Sequence, residues 1–345
     1  MRKTPTISVL MSTYNTPEDW LSEAIESILS QTFSDFEFII ADDCSTQSLD
    51  NIRTKYSDER IIWFRNERNL GLTKTLNKAL KLAKGKYIAR MDADDISLPE
   101  RFSTQIRYME SHPEVIVCGS YRRAFGNENK DEIWNIPLTR EEQQVQLFFF
   151  NCGLTHPTAM FRKSMLDEYG ITYNEDYIKA QDYGIWVQCT RYAPMAVIPE
   201  VLLKYRKSDR QISSAGRKNQ LENDKKIKLD QVVALGIEPT DEEKNIHIAF
   251  LNNNYYFNSK KIEQWINKLI EVNRETRYFS NTNFTKAIYR RWYRYCYKQF
   301  KQEGKQDYKS EYYHSKKISY CIPEMLERMK IKIALKIDKE KRDKK

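Results

Sequence analysis

Cysteine is sparse and scattered: the six residues Cys44, Cys118, Cys152, Cys189, Cys296 and Cys321 include no Cys-x-x-Cys pair, and no histidine stands at zinc-finger spacing from them. That excludes a disulfide-stapled scaffold or a zinc module and leaves reduced thiols, as expected of a cytosolic protein. Long apolar runs are also missing; none approaches the ~20 residues that a bilayer-crossing helix needs. The N-terminus enters a strand pattern too early for a secretory signal. The chain is therefore expected to be soluble and cytoplasmic, with peripheral attachment to the inner face of the cell membrane as the only membrane association left open. Glycine is nearly absent from residue 219 onward, and no internal repeat is visible.

What is present is length and unevenly placed charge. A chain of 345 residues suggests two domains and is ample for a sizeable core. Of the net charge of +9, Phe284 to Lys345 contributes more than the whole, with 19 Lys and Arg against 8 Asp and Glu. Within it, Phe284 to Gln302 interleaves Tyr289, Trp292, Tyr293, Tyr295 and Tyr297 with Arg290, Arg291, Arg294 and Lys298, and Met325 to Ile337 forms a second basic amphipathic stretch. Such a tail fits an anionic membrane surface, nucleic acid, or a helical appendage that packs on the first domain or makes a homodimer. The composition shift near Asn219 divides the expected domains into 1–218 and 219–345.

The first part alternates strand and helix. Apolar runs at Ile7 to Met11, Phe36 to Ala41, Ile61 to Phe64 and Tyr87 to Met91 read as strands, separated by helical spacing over Trp20 to Leu29, Leu49 to Tyr56 and Leu72 to Ala83, the last closed by Gly85. A further helix follows from about Pro99 to Ser111, then a strand at Val115 to Cys118, a helix at Gln181 to Arg191 and a strand at Ala196 to Tyr205; Trp134 to Phe150 has no clear register. This order implies an α/β fold whose mainly parallel sheet is covered on both faces. Ligands of such sheets sit beyond the carboxyl ends of the strands. Thr13-Tyr14, Asp42-Asp43 and Asp92 to Asp95 all fall there.

Asp92, Asp94 and Asp95 carry the chemistry most directly. Two carboxylates about 4 Å apart repel by roughly 4 kcal/mol at an effective dielectric of 20, so a fold that gathers three calls for a compensating cation. Mg²⁺ or Mn²⁺ fits, since either takes one or two protein carboxylates and fills its remaining positions with water and substrate phosphate. The bland alternative is a solvated acidic turn leading into the helix that Ser97, Pro99 and Glu100 announce.

Taken in order, Ile7 to Asn15, Ile40-Ala41-Asp42-Asp43-Cys44-Ser45, Asn69-Leu70-Gly71-Leu72 with Asn77, Gly85-Lys86-Tyr87-Ile88, and Met91 to Asp95 with Leu98-Pro99-Glu100-Arg101 resemble glycosyltransferase family 2, from Ile7 to about Ser213. The resemblance implies a GT-A fold with a C-terminal helical region outside it. It also implies metal-dependent, inverting transfer from a nucleotide-sugar donor to a saccharide or lipid-linked acceptor in surface-polysaccharide synthesis.

By the same resemblance, Thr13 and Tyr14 contact the nucleoside, and Asp43 accepts from N3–H of uracil, which favours a UDP-sugar. Asp92 faces the ribose, Asp94 and Asp95 lie at or beside the metal, and Arg68 or Lys74 neutralises the diphosphate. Asp182, in Gln181-Asp182-Tyr183-Gly184-Ile185-Trp186, stands where the family carries its base, with N-capping as its alternative and Glu175 and Asp176 as substitutes. His156 is read as structural. Ser208 occupies a position where the family often has histidine, so the leaving group is expected to lean on Arg206, Lys207 or Arg210. A phosphatase of the haloacid-dehalogenase type would need its Asp pair at the first strand, which here ends in Thr13-Tyr14-Asn15. Nucleic-acid binding could describe only the basic tail, because the acidic rim repels phosphate backbones.

Overall fold

A computed structural model describes residues 4–151, 153–208, 217–252 and 257–308. Arg210, Cys152, Cys321 and the Met325 to Ile337 stretch lie outside the described residues. Two compact units are present: one runs to Leu147 and resumes over Asn151–Ile227, and the other comprises Phe148–Phe150 and the chain from Lys228 on.

The first unit begins with β1 (Ile7–Thr13), α1 (Glu18–Leu29), β2 (Phe36–Asp42), α2 (Asp50–Lys55), β3 (Ile61–Arg65), α3 (Leu72–Leu82) and β4 (Tyr87–Asp92). It continues through β5 (Ile96–Ser97), α4 (Arg101–Ser111), β6 (Val117–Gly126), β7 (Lys130–Glu132), α5 (Arg140–Phe149), β8 (Met160–Arg162), α6 (Lys163–Glu168), α7 (Gln181–Cys189) and β9 (Met195–Lys207). The described strands form one sheet in the order β3-β2-β1-β4-β8-β6-β9-β5, with β7 paired on β6. β3, β2, β1 and β4 are parallel, β8 runs against both its neighbours, and β6 and β9 are again parallel. β4 and β6 therefore point the same way, and the ends of β1, β2, β4, β6 and β9 share one rim.

Alternation of side chains builds the two layers. Val9, Met11, Phe38, Ile40 and Ala89 pack with Leu21, Ile25 and Ile28 of α1 on one face, whereas Leu10, Ile39 and Ile88 pack with Leu76 and Ala79 of α3 on the other. Gly85 has a different role from the helix terminator its position suggests. A Cβ there would overlap the Ser8 amide, and the Gly85 N–H donates to Ser8 Oγ at 2.8 Å. The glycine lets the chain enter β4 pressed against β1.

α8 (Arg217–Leu235) contains the division between units, and α9 (Asp241–Asn252), α10 (Ser259–Thr276) and α11 (Asn281–Tyr297) complete the second. Its core is aromatic: Phe148 meets Phe279 and Phe284 edge-on, Phe279 stacks on Phe284, and Trp292 lies against Tyr295 and Tyr308. This corrects one tail reading. Trp292 and Tyr295 are buried, and Arg291 donates to the Phe250 and Leu251 carbonyls at the end of α9. The interleaved aromatics of Phe284 to Gln302 include the core of this unit, so they do not make an open stacking platform for bases.

Candidate active site

Strand register sets the rim. Thr13 pairs with Asp42, Ser12 with Asp92, and Asp42 with Arg65, so the ends of four strands, β1 to β4, reach nearly the same height. Beyond them the chain turns through left-handed residues, Asn15 (φ 51°) and Cys44 (φ 63°), a conformation that a non-glycine residue adopts at a cost of order 1 kcal/mol or more. Side chains hold both turns. Asn15 Oδ1 accepts from the Thr46 N–H at 2.8 Å, and the Asn15 N–H donates to Ser45 Oγ at 3.0 Å.

Asp43 does not present its carboxylate to solvent. It is 2 % exposed and accepts from Asn66 Nδ2, the Leu70 N–H and the Gly71 N–H, each at 2.8 Å. Asn66 is fixed in turn by Thr75 and Lys78 of α3, both at 2.9 Å. In this geometry Asp43 builds the 66–71 loop and the start of α3, where Gly71 takes φ 82°. Asp42 is tied to Arg65 and to the Ser45 N–H. With Arg53, Trp63 and Arg65 it walls a cleft of about 420 Å³ that includes neither the acidic cluster nor Asp182. Tyr14, by contrast, is 43 % exposed on the rim, while Thr13 is buried and donates to Thr16 Oγ1. Arg68 is exposed and pairs with no carboxylate among the described residues. Lys74 Nζ lies 3.9 Å from Glu175.

Asp92, Asp94 and Asp95 come together: one oxygen of each lies within 4.8 Å of the others. None of them caps α4, whose N-cap is Glu100, and Ser97 belongs to β5. Beneath the cluster, buried Arg90 pairs with Asp92 and donates to the Met91 carbonyl, while Arg101 holds the Arg90 carbonyl at 2.8 Å. Burial and the Asp92 charge raise the Asp94 carboxyl to about 6. Burial, Asp92 and Asp94 raise Asp95 well above the carboxylate range. Asp95 Oδ1 accepts from the Arg206 N–H at 2.9 Å, and its buried Oδ2 has no partner among the described residues. A buried acid with one orphaned oxygen, crowded by two like charges, is a donor set that fits a hard divalent cation.

Arg206 has partners that its expected role beside the leaving group does not announce. Its Nε donates to the Asp94 carbonyl at 2.7 Å and its Nη2 pairs with Glu23, so these groups brace the acidic turn. Lys207 Nζ lies 3.5 Å from Glu132. Ser208 Oγ is buried with no partner among the described residues.

Asp182 sits in the first turn of α7, two residues past the N-cap, Ala180. Burial raises its carboxyl to about 6, and Asp224 and Asp92 push in the same direction. Glu175 and Asp176 are exposed, and Asp176 pairs with Lys226. His156 is buried, shares a hydrogen bond of 2.8 Å with the Tyr173 hydroxyl, and is held neutral by burial and by Arg90. That is a structural histidine.

Two contributors escaped the sequence reading. Arg90 is legible in retrospect as a lone charge inside an apolar strand. Asn66 carries no such signal, because its partners lie 9 to 23 residues away.

A profile described as Glycosyl transferase family 2 matches residues 8–170. An uncharacterized glycosyltransferase of Methanocaldococcus jannaschii is 38 % identical over 259 residues, spanning 73 % of this chain and 84 % of the relative. The amylovoran biosynthesis glycosyltransferase AmsE of Erwinia amylovora is 35 % identical over 204 residues, 58 % of this chain and 75 % of its own length. Among solved structures, S. aureus TarS 1-349 in complex with UDP-GlcNAc aligns with a TM-score of 0.56 at 21 % identity, covering 89 % of this chain and 90 % of that one. The structural likeness speaks to the fold, and the sequence identity, sustained across most of a relative's length, speaks to descent. The sequence relatives show that the chain belongs to glycosyltransferase family 2, and the structural likeness shows that it has the GT-A fold.

Proposed function

We propose that this enzyme transfers a sugar, with inversion and with a divalent metal, from a UDP-sugar to a saccharide or lipid-linked acceptor during surface-polysaccharide assembly. The observation that carries the reading is the convergence of Asp92, Asp94 and Asp95 at the end of β4, with Asp182 close enough to feel Asp92. Two relatives from Escherichia coli, 31 % and 29 % identical, are named as UDP-Glc glucosyltransferases acting on a diphosphoundecaprenol-linked sugar, which supports the donor and acceptor classes. A mannosyltransferase from Pyrobaculum calidifontis in complex with GDP-Man and Mn²⁺ shares the fold at a TM-score of 0.52 and 15 % identity, so the nucleotide is the point that most needs testing.

In this mechanism Asp94 and Asp95 would hold Mg²⁺ or Mn²⁺, with Asp92 beside them on the ribose side. The ion would supply positive charge for the diphosphate as it leaves. Tyr14 would offer its ring to the nucleoside, and Arg68, exposed in the loop that Asp43 organises, and Lys74, in the first turn of α3, would offer positive charge to the diphosphate. Asp182 accepts the acceptor hydroxyl's proton as that oxygen attacks the anomeric carbon, and the bond to the nucleoside diphosphate breaks on the opposite side. One displacement inverts the configuration. A panel of UDP- and GDP-sugars, each with and without Mn²⁺, should give metal-dependent thermal stabilisation with a UDP-sugar; a ligand at 100 times its Kd adds about 2.7 kcal/mol. Stabilisation by GDP-sugars alone would overturn the nucleotide, and stabilisation that persists in EDTA would overturn the metal.

The basic tail supports a second element, attachment to an anionic membrane surface, because each cationic residue near such a surface adds about 1 kcal/mol. Among the described residues no helix is long and apolar enough to cross a membrane. Vesicles containing phosphatidylglycerol should sediment with the full chain at low salt and release it when residues after 308 are deleted. Equal sedimentation of both chains removes the tail from this role.

A further inference from the structure

We propose that Arg206 is a positioning residue for the acidic cluster, anchored by Glu23, and that through it α1 sets how tightly the Asp92–Asp95 site holds its cation. The inference rests on the metal reading above and deepens it.

Five contacts converge on Arg206. Its backbone N–H donates to Asp95 Oδ1 at 2.9 Å, its Nε donates to the Asp94 carbonyl at 2.7 Å, and its Nη2 pairs with Glu23 Oε2. The guanidinium also lies between two rings, 4.5 Å from the Phe125 centroid and 4.8 Å from that of Trp20. Trp20 and Glu23 belong to α1, Phe125 to β6 and Arg206 to β9, so three elements fix one planar group against the Asp94-Asp95 turn.

The turn needs fixing. Ionised carboxylates within 4.8 Å repel one another, and locally only Asp92 has a cationic partner, Arg90. A planar cation between two rings, with its nitrogens engaged, keeps few alternative rotamers, so the carbonyl it holds cannot drift. Acids held together in advance bind an ion without first being regathered. Glu23 is the exposed end of this linkage: its side chain is 51 % exposed against 12 % for Arg206.

The test titrates Mn²⁺ into the full chain without donor, reading free Mn²⁺ by electron paramagnetic resonance. Arg206→Met should weaken Mn²⁺ binding about 10-fold, the lower end of the range for partners that orient metal ligands. Glu23→Ala should weaken it by a smaller factor, and Glu23→Gln, the mildest change, by less again. Arg206→Lys should not restore affinity, because an ammonium cannot fill the space between both rings and serve Asp94 and Glu23 together. At saturating Mn²⁺ each variant should recover most of the wild-type kcat, a recovery that a merely damaged fold would not give. If wild type binds Mn²⁺ and the Arg206 and Glu23 variants bind it equally well, the positioning role is wrong while the metal site stands. A kcat defect that persists at saturating Mn²⁺ is equally fatal to it. If wild type binds no Mn²⁺, the metal reading itself falls and takes this inference with it.

Discussion

Asp182→Asn should remove turnover while leaving donor binding intact, with kcat falling at least 10²-fold, the lower bound for loss of a general base. The same substitution should stabilise the protein at pH 7. Burial raises the Asp182 carboxyl from an ordinary 3.8 to about 6, and at 1.36 kcal/mol per unit an ionised Asp182 costs the native state on the order of 3 kcal/mol. The sign follows from proton counting. Between the two values the folded state holds a proton that the unfolded state has lost, so the favourable contribution of neutral Asp182 is complete below 3.8 and disappears as pH rises through 6. Asparagine has no charge to desolvate. The variant should therefore melt several degrees above wild type at pH 7 and level with it near pH 4.

Activity should run the other way. Wild-type kcat should climb as pH rises through the region in which Asp182 ionises, with the midpoint below 6 when a cation offsets the Asp92 charge. Differential scanning calorimetry at pH 4 and 7, with initial rates across the same interval, measures both effects. Unchanged turnover in Asp182→Asn would remove this residue from the mechanism.

Asp94→Ala should lower transfer by about 10³-fold, equivalent to roughly 4 kcal/mol of transition-state stabilisation, and should abolish Mn²⁺-dependent stabilisation. Its melting temperature in EDTA should not fall. Asp94 is largely surrounded by protein and repelled by Asp92, so deleting it relieves one like-charge contact and leaves the Asp94 backbone carbonyl to Arg206. Loss of activity without loss of stability distinguishes a functional acid from a structural one. Full activity of the variant, or full wild-type activity in chelator, would contradict the proposed metal role.

The parts of this fold written as apolar runs were legible. β1, β2 and β4 each carry a buried series that stops at a polar or acidic residue, and the stops mark the rim. β8 was not legible, because Met160–Arg162 is three residues long and is recognised only through its pairing with β4 and β6. The outer half of β6 was missed for a related reason: Tyr121-Arg122-Arg123 looks like a surface loop until β9 supplies its ladder. Trp134 to Phe150 resisted assignment because it changes character midway, from a loop with Leu138 93 % exposed to α5.

At the site, the clustering of acids could be read from spacing, but their internal partners could not. The family resemblance assigns Asp43 to the nucleoside, and nothing around it in sequence announces the three donors that its carboxylate takes. Two of its three donors are backbone N–H groups of Leu70 and Gly71, which leave no mark in side-chain identity. The partners of Arg206 are hidden in the same way, since Asp94 and Glu23 lie 112 and 183 residues away in sequence.

The bonds that Asp43 makes have a kinetic consequence. Because Asn66, Leu70 and Gly71 are already secured to it, the freedom of that loop, worth about 1–2 kcal/mol per residue, is surrendered once, during folding, instead of on every catalytic cycle.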